Sequence, residues 1–264
     1  MPSFQQQDLQ QKNLQINYQT FGDSKNPAIV FSNSLGTNYS MWQAQIEHFQ
    51  KHYYVICYDT RGHGQSTAPQ GPYHLEQLGQ DVIALLDHLG VQRASFCGIS
   101  MGGLTGQWLA VHYPQRFHRV IVCNTAAKIG IETAWLDRAK LVREQGLAQI
   151  AATAASRWFT ESFIQSQAAT VELLSQHLAA GSAEGYASCC EALAKADLRE
   201  DIKTISVPVL IVAGQFDPVT TVDDAKQMLA AIPGSQLFEI AASHISNIEC
   251  PADFNTAVEN FIAA

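Results

Sequence analysis

The residues best able to do chemistry are a serine, an aspartate and a histidine, each placed just past a short apolar run. Gly98-Ile99-Ser100-Met101-Gly102, with Gly103 behind it, stands between the run Ala94–Cys97 and a helix-period segment. A serine at so tight a turn takes up a strained backbone, and its neighbours must lack side chains for the next helix to pack close. The G-x-S-x-G pattern meets both demands. Serine is a weak nucleophile at neutral pH and needs a base that a third group orients. Asp217, in Gly214-Gln215-Phe216-Asp217-Pro218, follows the run Val207–Ala213. His244, in Ala241-Ala242-Ser243-His244, follows Gln236–Ile240. The chain order serine, acid, histidine suits a parallel sheet carrying such an elbow. Asp223 and Asp224 compete for the acid's place, and Asp217 could instead serve an Asx turn or cap the next helix.

A tetrahedral oxyanion needs donors. One expected donor is the N–H of Met101, helped by the positive end of the helix behind it. The second is expected from the loop Asn33-Ser34-Leu35-Gly36-Thr37, with Leu35 N–H the choice to within about one position. Asp59-Thr60-Arg61-Gly62-His63-Gly64-Gln65-Ser66 is polar and carries a histidine, but it reads as a tight turn in which Asp59 and Arg61 tie neighbouring loops together. His63 as the base would break the expected chain order.

The elements that must position these groups follow from periodicity. Leu14–Thr20 alternates like an early, partly antiparallel strand; Ala28–Phe31, Tyr54–Tyr58, Ala94–Gly98, Val120–Cys123, Val207–Ala213 and Gln236–Ile240 are short apolar runs. Amphipathic segments Leu75–Leu89, Gly103–Tyr113, Thr221–Ala231 and Ala252–Ile262 lie between or after them. Such alternation predicts parallel strands covered on both faces, with ligands at the strands' carboxyl ends. From 128 to 200 the strands stop. Helical stretches Glu132–Gln145, Gln149–Phe159, Glu161–Ala179 and Glu184–Ala194 fill the gap and read as a lid. The expected organisation is therefore a core over 1–127, a helical lid insertion over 128–200, and the rest of the core over 201–264.

Composition narrows the partners. Sixteen Lys and Arg stand against 24 Asp and Glu, for a formal charge of -8, and no two basic residues are adjacent. Nucleic acid and anionic membrane surfaces need clustered cations, so neither is expected. The start, MPSFQQQDLQQKN, has neither a basic nor an apolar targeting segment, and no apolar stretch nears the ~20 residues of a membrane span. A soluble cytoplasmic protein is expected. Six dispersed cysteines without a C-x-x-C pair read as reduced thiols, and no metal is expected. The sequence does not indicate an oligomeric state.

Together these motifs identify the chain as a member of the α/β-hydrolase superfamily over nearly its whole length. Within it the chain resembles the 3-oxoadipate enol-lactonases of bacterial aromatic catabolism. The closer likeness lies in FSNSLGTNYSMW, where relatives often carry His-Gly, and in DTRGHGQS, CGISMGG, AWLDRAKLVREQGL, GQFDP and ASHISNIE. The resemblance implies an eight-stranded, mostly parallel sheet with helices on both faces. It also implies a triad of Ser100, Asp217 and His244, no cofactor, and hydrolysis of a small anionic lactone through an acyl-enzyme. Ser100, where dehalogenases and epoxide hydrolases of this fold use aspartate, argues against those reactions. Another carboxylesterase, a perhydrolase, a carbon–carbon bond hydrolase and a ligand-binding receptor on the same fold remain as alternatives. The implied substrate carries a carboxylate, so the lid should supply a cation. Trp135 and Arg138, spaced i, i+3 on one helix face, are the candidates, with Lys140, Arg143 and Arg157 competing.

Overall fold

The computed structural model describes residues 3–6 and 14–264. Eight strands are hydrogen-bonded in the order β1-β2-β4-β3-β5-β6-β7-β8: β1 (Ser3–Gln6), β2 (Leu14–Phe21), β3 (Ala28–Ser32), β4 (Tyr54–Tyr58), β5 (Ala94–Ile99), β6 (Phe117–Cys123), β7 (Val209–Gly214) and β8 (Gln236–Ile240). The main sheet has seven strands where eight were expected. β1 pairs only with the first half of β2, Leu14–Asn17, as an antiparallel ribbon, while Tyr18–Phe21 carry β2 on to β4. From β4 through β8 every pairing is parallel.

The central strands read as continuous apolar runs because both of their faces are covered: β3, β4, β5 and β7 are buried at every position. The covering helices are α1 (Gln43–Phe49), α2 (Leu75–His88), α3 (Met101–His112), α10 (Val222–Ala231), α11 (Ser246–Glu249) and α12 (Pro251–Ala263). α3 starts at Met101, two residues earlier than its periodicity suggests, because the elbow turns directly into it. α2 is capped by a reciprocal pair, in which Gln77 Oε1 accepts from the His74 N–H at 3.0 Å. Asp224 is likewise the N3 partner of Thr221 at the start of α10, and Asp223 is exposed beside Lys226, so neither competitor for the acid reaches the site.

Between β6 and β7 lie only helices: α4 (Glu132–Gln145), α5 (Ala148–Ala152), α6 (Ala155–Trp158), α7 (Glu161–Ser166), α8 (Ala168–Ala179) and α9 (Ala183–Lys195). Two of the four helical stretches expected here are broken in two, at Thr153–Ala154 and at Gln167. α4 and α9 are joined by Arg143, whose guanidinium donates to Glu184 (2.9 Å) and Glu191 (2.6 Å). α9 is also seated on the core backbone to backbone. A β-carbon on Gly185 would strike the Gly62 carbonyl, and one on Gly62 would strike Gly185.

The turn after β4 behaves as a structural tie. Arg61, fully buried, makes a bidentate pair with Asp81 at 2.6 Å for each bond. Asp59 accepts from Tyr39 N–H, Gln65 N–H and Asn17 Nδ2. All six cysteines are free thiols. Among the described residues no helix is long and apolar enough to cross a membrane. His48 and His52 lie four residues apart; His48 Nε2 is 3.0 Å from Glu259 Oε2, and among the described residues no group of three or more His, Cys, Asp or Glu is placed to hold a metal ion.

Candidate active site

Ser100 sits between β5 and α3 at φ 57° and ψ −115°. A non-glycine residue in so sparsely populated a region carries strain of roughly 1–3 kcal/mol and persists only where its surroundings fix it. Three hydrogen bonds do so. Ser100 N–H donates to the Cys123 carbonyl (2.9 Å), and the Ser100 carbonyl accepts from Thr125 Oγ1 (2.8 Å) and Leu104 N–H (2.9 Å). The glycines of the motif are needed for closeness: a β-carbon on Gly98 would land on the Gly102 carbonyl, and one on Gly102 on that of Ser32.

Asp217 and His244 are brought together by the loops after β7 and β8. His244 Nδ1 lies 2.8 Å from Asp217 Oδ2, and the carboxylate is fully buried. Asp217 Oδ1 accepts from the N–H groups of Val219 (2.7 Å) and Thr220 (3.1 Å), and Oδ2 also accepts from Thr220 Oγ1 (2.8 Å) and Asn124 Nδ2 (3.1 Å). Burial alone would raise the pKa of this carboxyl, but the bond and charge of His244 and the two backbone donors outweigh it and hold the group below its ordinary value. An ionised Asp217 keeps the hydrogen of His244 on Nδ1 and leaves Nε2 as the basic nitrogen. Ser100 and His244 line one cavity without a hydrogen bond between them; such contacts commonly tighten only when substrate arrives.

That cavity, of about 270 Å³, is also lined by Leu35, Trp135, Arg138, Arg157, Trp158 and Tyr186. Neither Leu35 N–H nor Met101 N–H has an acceptor among the described residues, as donors reserved for a ligand oxygen would require. Trp135 and Arg138 share a face, with the guanidinium carbon 4.8 Å from the ring centroid; the indole N–H is spent on the Ile129 carbonyl at 2.6 Å. Of the competing cations, Arg143 is committed to glutamates and Lys140 does not line the cavity, but Arg157 does. Arg157 is held against Thr153 Oγ1 and the Ile150 carbonyl, and burial together with the charge of Arg138 lowers its pKa. Among the described residues neither guanidinium of the cavity has a carboxylate partner, and no carboxylate lines the wall. Two guanidiniums thus line a cavity wall that carries no carboxylate, an arrangement chemically suited to an anion.

Asn124 and Tyr186 are absent from the sequence-derived site. Asn124, at φ 45° just past β6, donates to both Asp217 Oδ2 and the Ser243 carbonyl while its Oδ1 accepts from Ser246, so it joins the acid loop to the histidine loop. Its one sequence signal is that an asparagine, which tolerates the left-handed region, ends the β6 run at the same edge as Ser100. Glu249 braces the same loop, accepting from Ser243 N–H at 2.8 Å and from Thr160 of the helical block.

Comparison with known proteins bears on this arrangement. Residues 27–251 match the family model described as the alpha/beta hydrolase fold. The chain is 62% identical over 260 residues to 3-oxoadipate enol-lactonase 2 of Acinetobacter baylyi, covering 98% of this chain and 97% of that one. It is 46% identical to 3-oxoadipate enol-lactonase 1 of the same organism, over 94% of this chain and 92% of the other. The crystal structure of the enol-lactonase from Burkholderia xenovorans superposes with a TM-score of 0.93 at 42% identity, covering 95% of this chain and 97% of that one.

Proposed function

The chain belongs to the α/β-hydrolase family, and on that premise we propose that it is a serine hydrolase that opens 3-oxoadipate enol-lactone to 3-oxoadipate. The observation that carries this reading beyond an ordinary esterase is the pair Arg138 and Arg157, without acidic partners, in the cavity that holds Ser100 and His244. A neutral ester has no use for two guanidiniums. A lactone bearing a carboxylate does.

In the reaction proposed, His244 Nε2 takes the proton of Ser100 as Oγ attacks the lactone carbonyl, and Asp217 stabilises the imidazolium that forms. Leu35 and Met101 N–H groups receive the oxyanion, a contribution of ~3 kcal/mol per donor where such donors have been removed. The ring C–O bond breaks, the leaving enolate takes the proton, and tautomerisation gives the ketone. Water, activated by the same histidine, then adds to the acyl carbon, and Ser100 recovers its proton as the second carboxylate is released. An enolate leaves readily, so the step most in need of help is formation of the tetrahedral oxyanion. No step calls for a cofactor.

Arg138 and Arg157 hold the carboxylate, and the indole of Trp135 excludes water from that side. The direct test is the ultraviolet-monitored disappearance of the enol-lactone with purified protein, compared with p-nitrophenyl acetate. A kcat/KM for the lactone well above that for the ester supports the proposal. Ester hydrolysis without lactone turnover overturns the substrate while leaving a serine esterase.

A further inference from the structure

The turn that carries His63 is not consumed by the chemistry above, yet it touches the oxyanion loop. His63 is buried, and its Nε2 lies 2.9 Å from the Gly36 N–H. A backbone N–H can only donate, so Nε2 must be the unprotonated nitrogen and the hydrogen must sit on Nδ1. Nδ1 has its own acceptor, the Arg61 carbonyl at 3.3 Å, with Cys189 Sγ 4.0 Å away. The neutral tautomer is thus dictated from both sides.

What His63 grips is the centre of a turn. Thr37 N–H donates to the Ser34 carbonyl at 3.2 Å, and Gly36 has φ +81°, the geometry of a type II turn with Leu35 and Gly36 as its middle residues. Types I and II differ by a flip of the peptide between those two residues. The Gly36 N–H belongs to that peptide, so its bond to His63 selects one of the two flips. We propose that His63 is a positioning residue: by holding the Gly36 N–H it keeps the turn in one form and anchors the loop from which the Leu35 N–H reaches the oxyanion. This rests on the reading of Leu35 as an oxyanion donor, though not on which ester is the substrate.

A proton on Nε2 would set two donors against each other and release the turn. Burial opposes that proton and lowers the pKa of His63, with the Arg61 carbonyl and the Asp59 carboxylate acting the other way. The other groups around it are Cys189 and Tyr186 from α9, His177 lining the neighbouring cavity, and the Arg61 guanidinium, which Asp81 neutralises.

The experiment measures kcat, KM and pH profiles of the wild type, His63→Ala and His63→Gln on both the enol-lactone and p-nitrophenyl acetate, with circular dichroism melts as the control for folding. Glutamine can place a non-titrating acceptor near Nε2. His63→Ala should lose roughly 10- to 100-fold in kcat, short of the loss on deleting a donor outright, with KM little changed and the same factor on both substrates. His63→Gln should recover most of that loss. In the wild type the acid limb of kcat should be steeper than one proton allows, and in His63→Gln it should fall to a slope of one. Wild-type kcat in a folded His63→Ala overturns the proposal, as does a loss that His63→Gln reproduces in full. If His63→Ala does not fold, ¹⁵N shifts of the His63 ring in the wild type decide: a protonated Nδ1 with bare Nε2 supports the proposal, and the opposite tautomer overturns it. Failure of the lactonase reading shows separately, as absent lactone turnover by the wild type.

Discussion

The carboxyl edge of the sheet and the helical block above it meet in one cavity but are built differently. At the sheet edge Ser100, Asp217 and His244 are buried; several hydrogen bonds fix Ser100 and Asp217, and Asp217 in turn holds His244. In the helical block α4 buries only Ala139 and Val142, and its ion pairs to α9 are the partly exposed Arg143 with Glu184 and Glu191 and the exposed Glu132 with Lys195. Strand ends supply precision, and helices joined by charges supply a wall that can be varied. Bond-making should therefore be sensitive to the first region whatever the ester, and substrate choice to the second.

The largest effects test the first half of that contrast. Ser100→Ala should abolish turnover of lactone and neutral ester alike, by about 10⁶-fold in kcat, and Asp217→Asn should cost about 10⁴-fold on both. A strong bias toward one substrate in either variant would break the division. Asp217→Asn should also change acid stability. The Asp217 carboxyl is held below its ordinary value of 3.8, so its stabilisation is present above that pH and is lost as pH falls through the lower, native value. Urea unfolding from pH 5 to pH 2 should therefore fall less steeply in the variant.

Next in size are the cavity cations. Arg138→Ala and Arg157→Ala should each lower kcat/KM on the anionic lactone by about 10- to 100-fold, as expected for a charge-assisted hydrogen bond, while sparing p-nitrophenyl acetate. Equal losses on both substrates would move these residues from recognition to structure. Smaller still, Arg143→Ala should cost about 1 kcal/mol of stability, and hydrogen exchange should localise the loosening to α4 and α9 rather than the sheet. The smallest effect comes from strain. Ser100→Gly should be more stable to urea than Ser100→Ala by about 1 kcal/mol, because glycine tolerates positive φ.

The same contrast explains what was legible in the sequence. Strand ends announce themselves: an apolar run stops at Gly, Asp or Ser, and the residue that follows is at the active edge, which is how Ser100, Asp217 and His244 stand out. The expected lid range of 128–200 corresponds to a stretch that holds no strand from Lys128 to Thr204, though that alone does not make it a separate unit. Inside it the breaks at Thr153 and Gln167 carry no Gly or Pro to mark them, so the Ala- and Gln-rich sequence reads as longer helices than form. Asn124 escaped because its partners lie 93 and 119 residues away, a relation no local pattern encodes. Arg157 was only one cation among several, since which guanidinium meets a glutamate depends on how α4 packs on α9. α1 was missed because it spans only seven residues, with just Ile46 and Phe49 as large apolar anchors.

The contact between Gly62 and Gly185 bears on how this architecture can be re-engineered. Replacing the helices between β6 and β7 is one route to new substrates, but here such a graft meets a joint with no tolerance. A transplanted helical block with any side chain at 185 would ride up off its seat and carry Tyr186, the next residue, away from the catalytic cavity it lines. The glycine pair keys α9 to the turn after β4, and a chimera should be cut so that both glycines travel together.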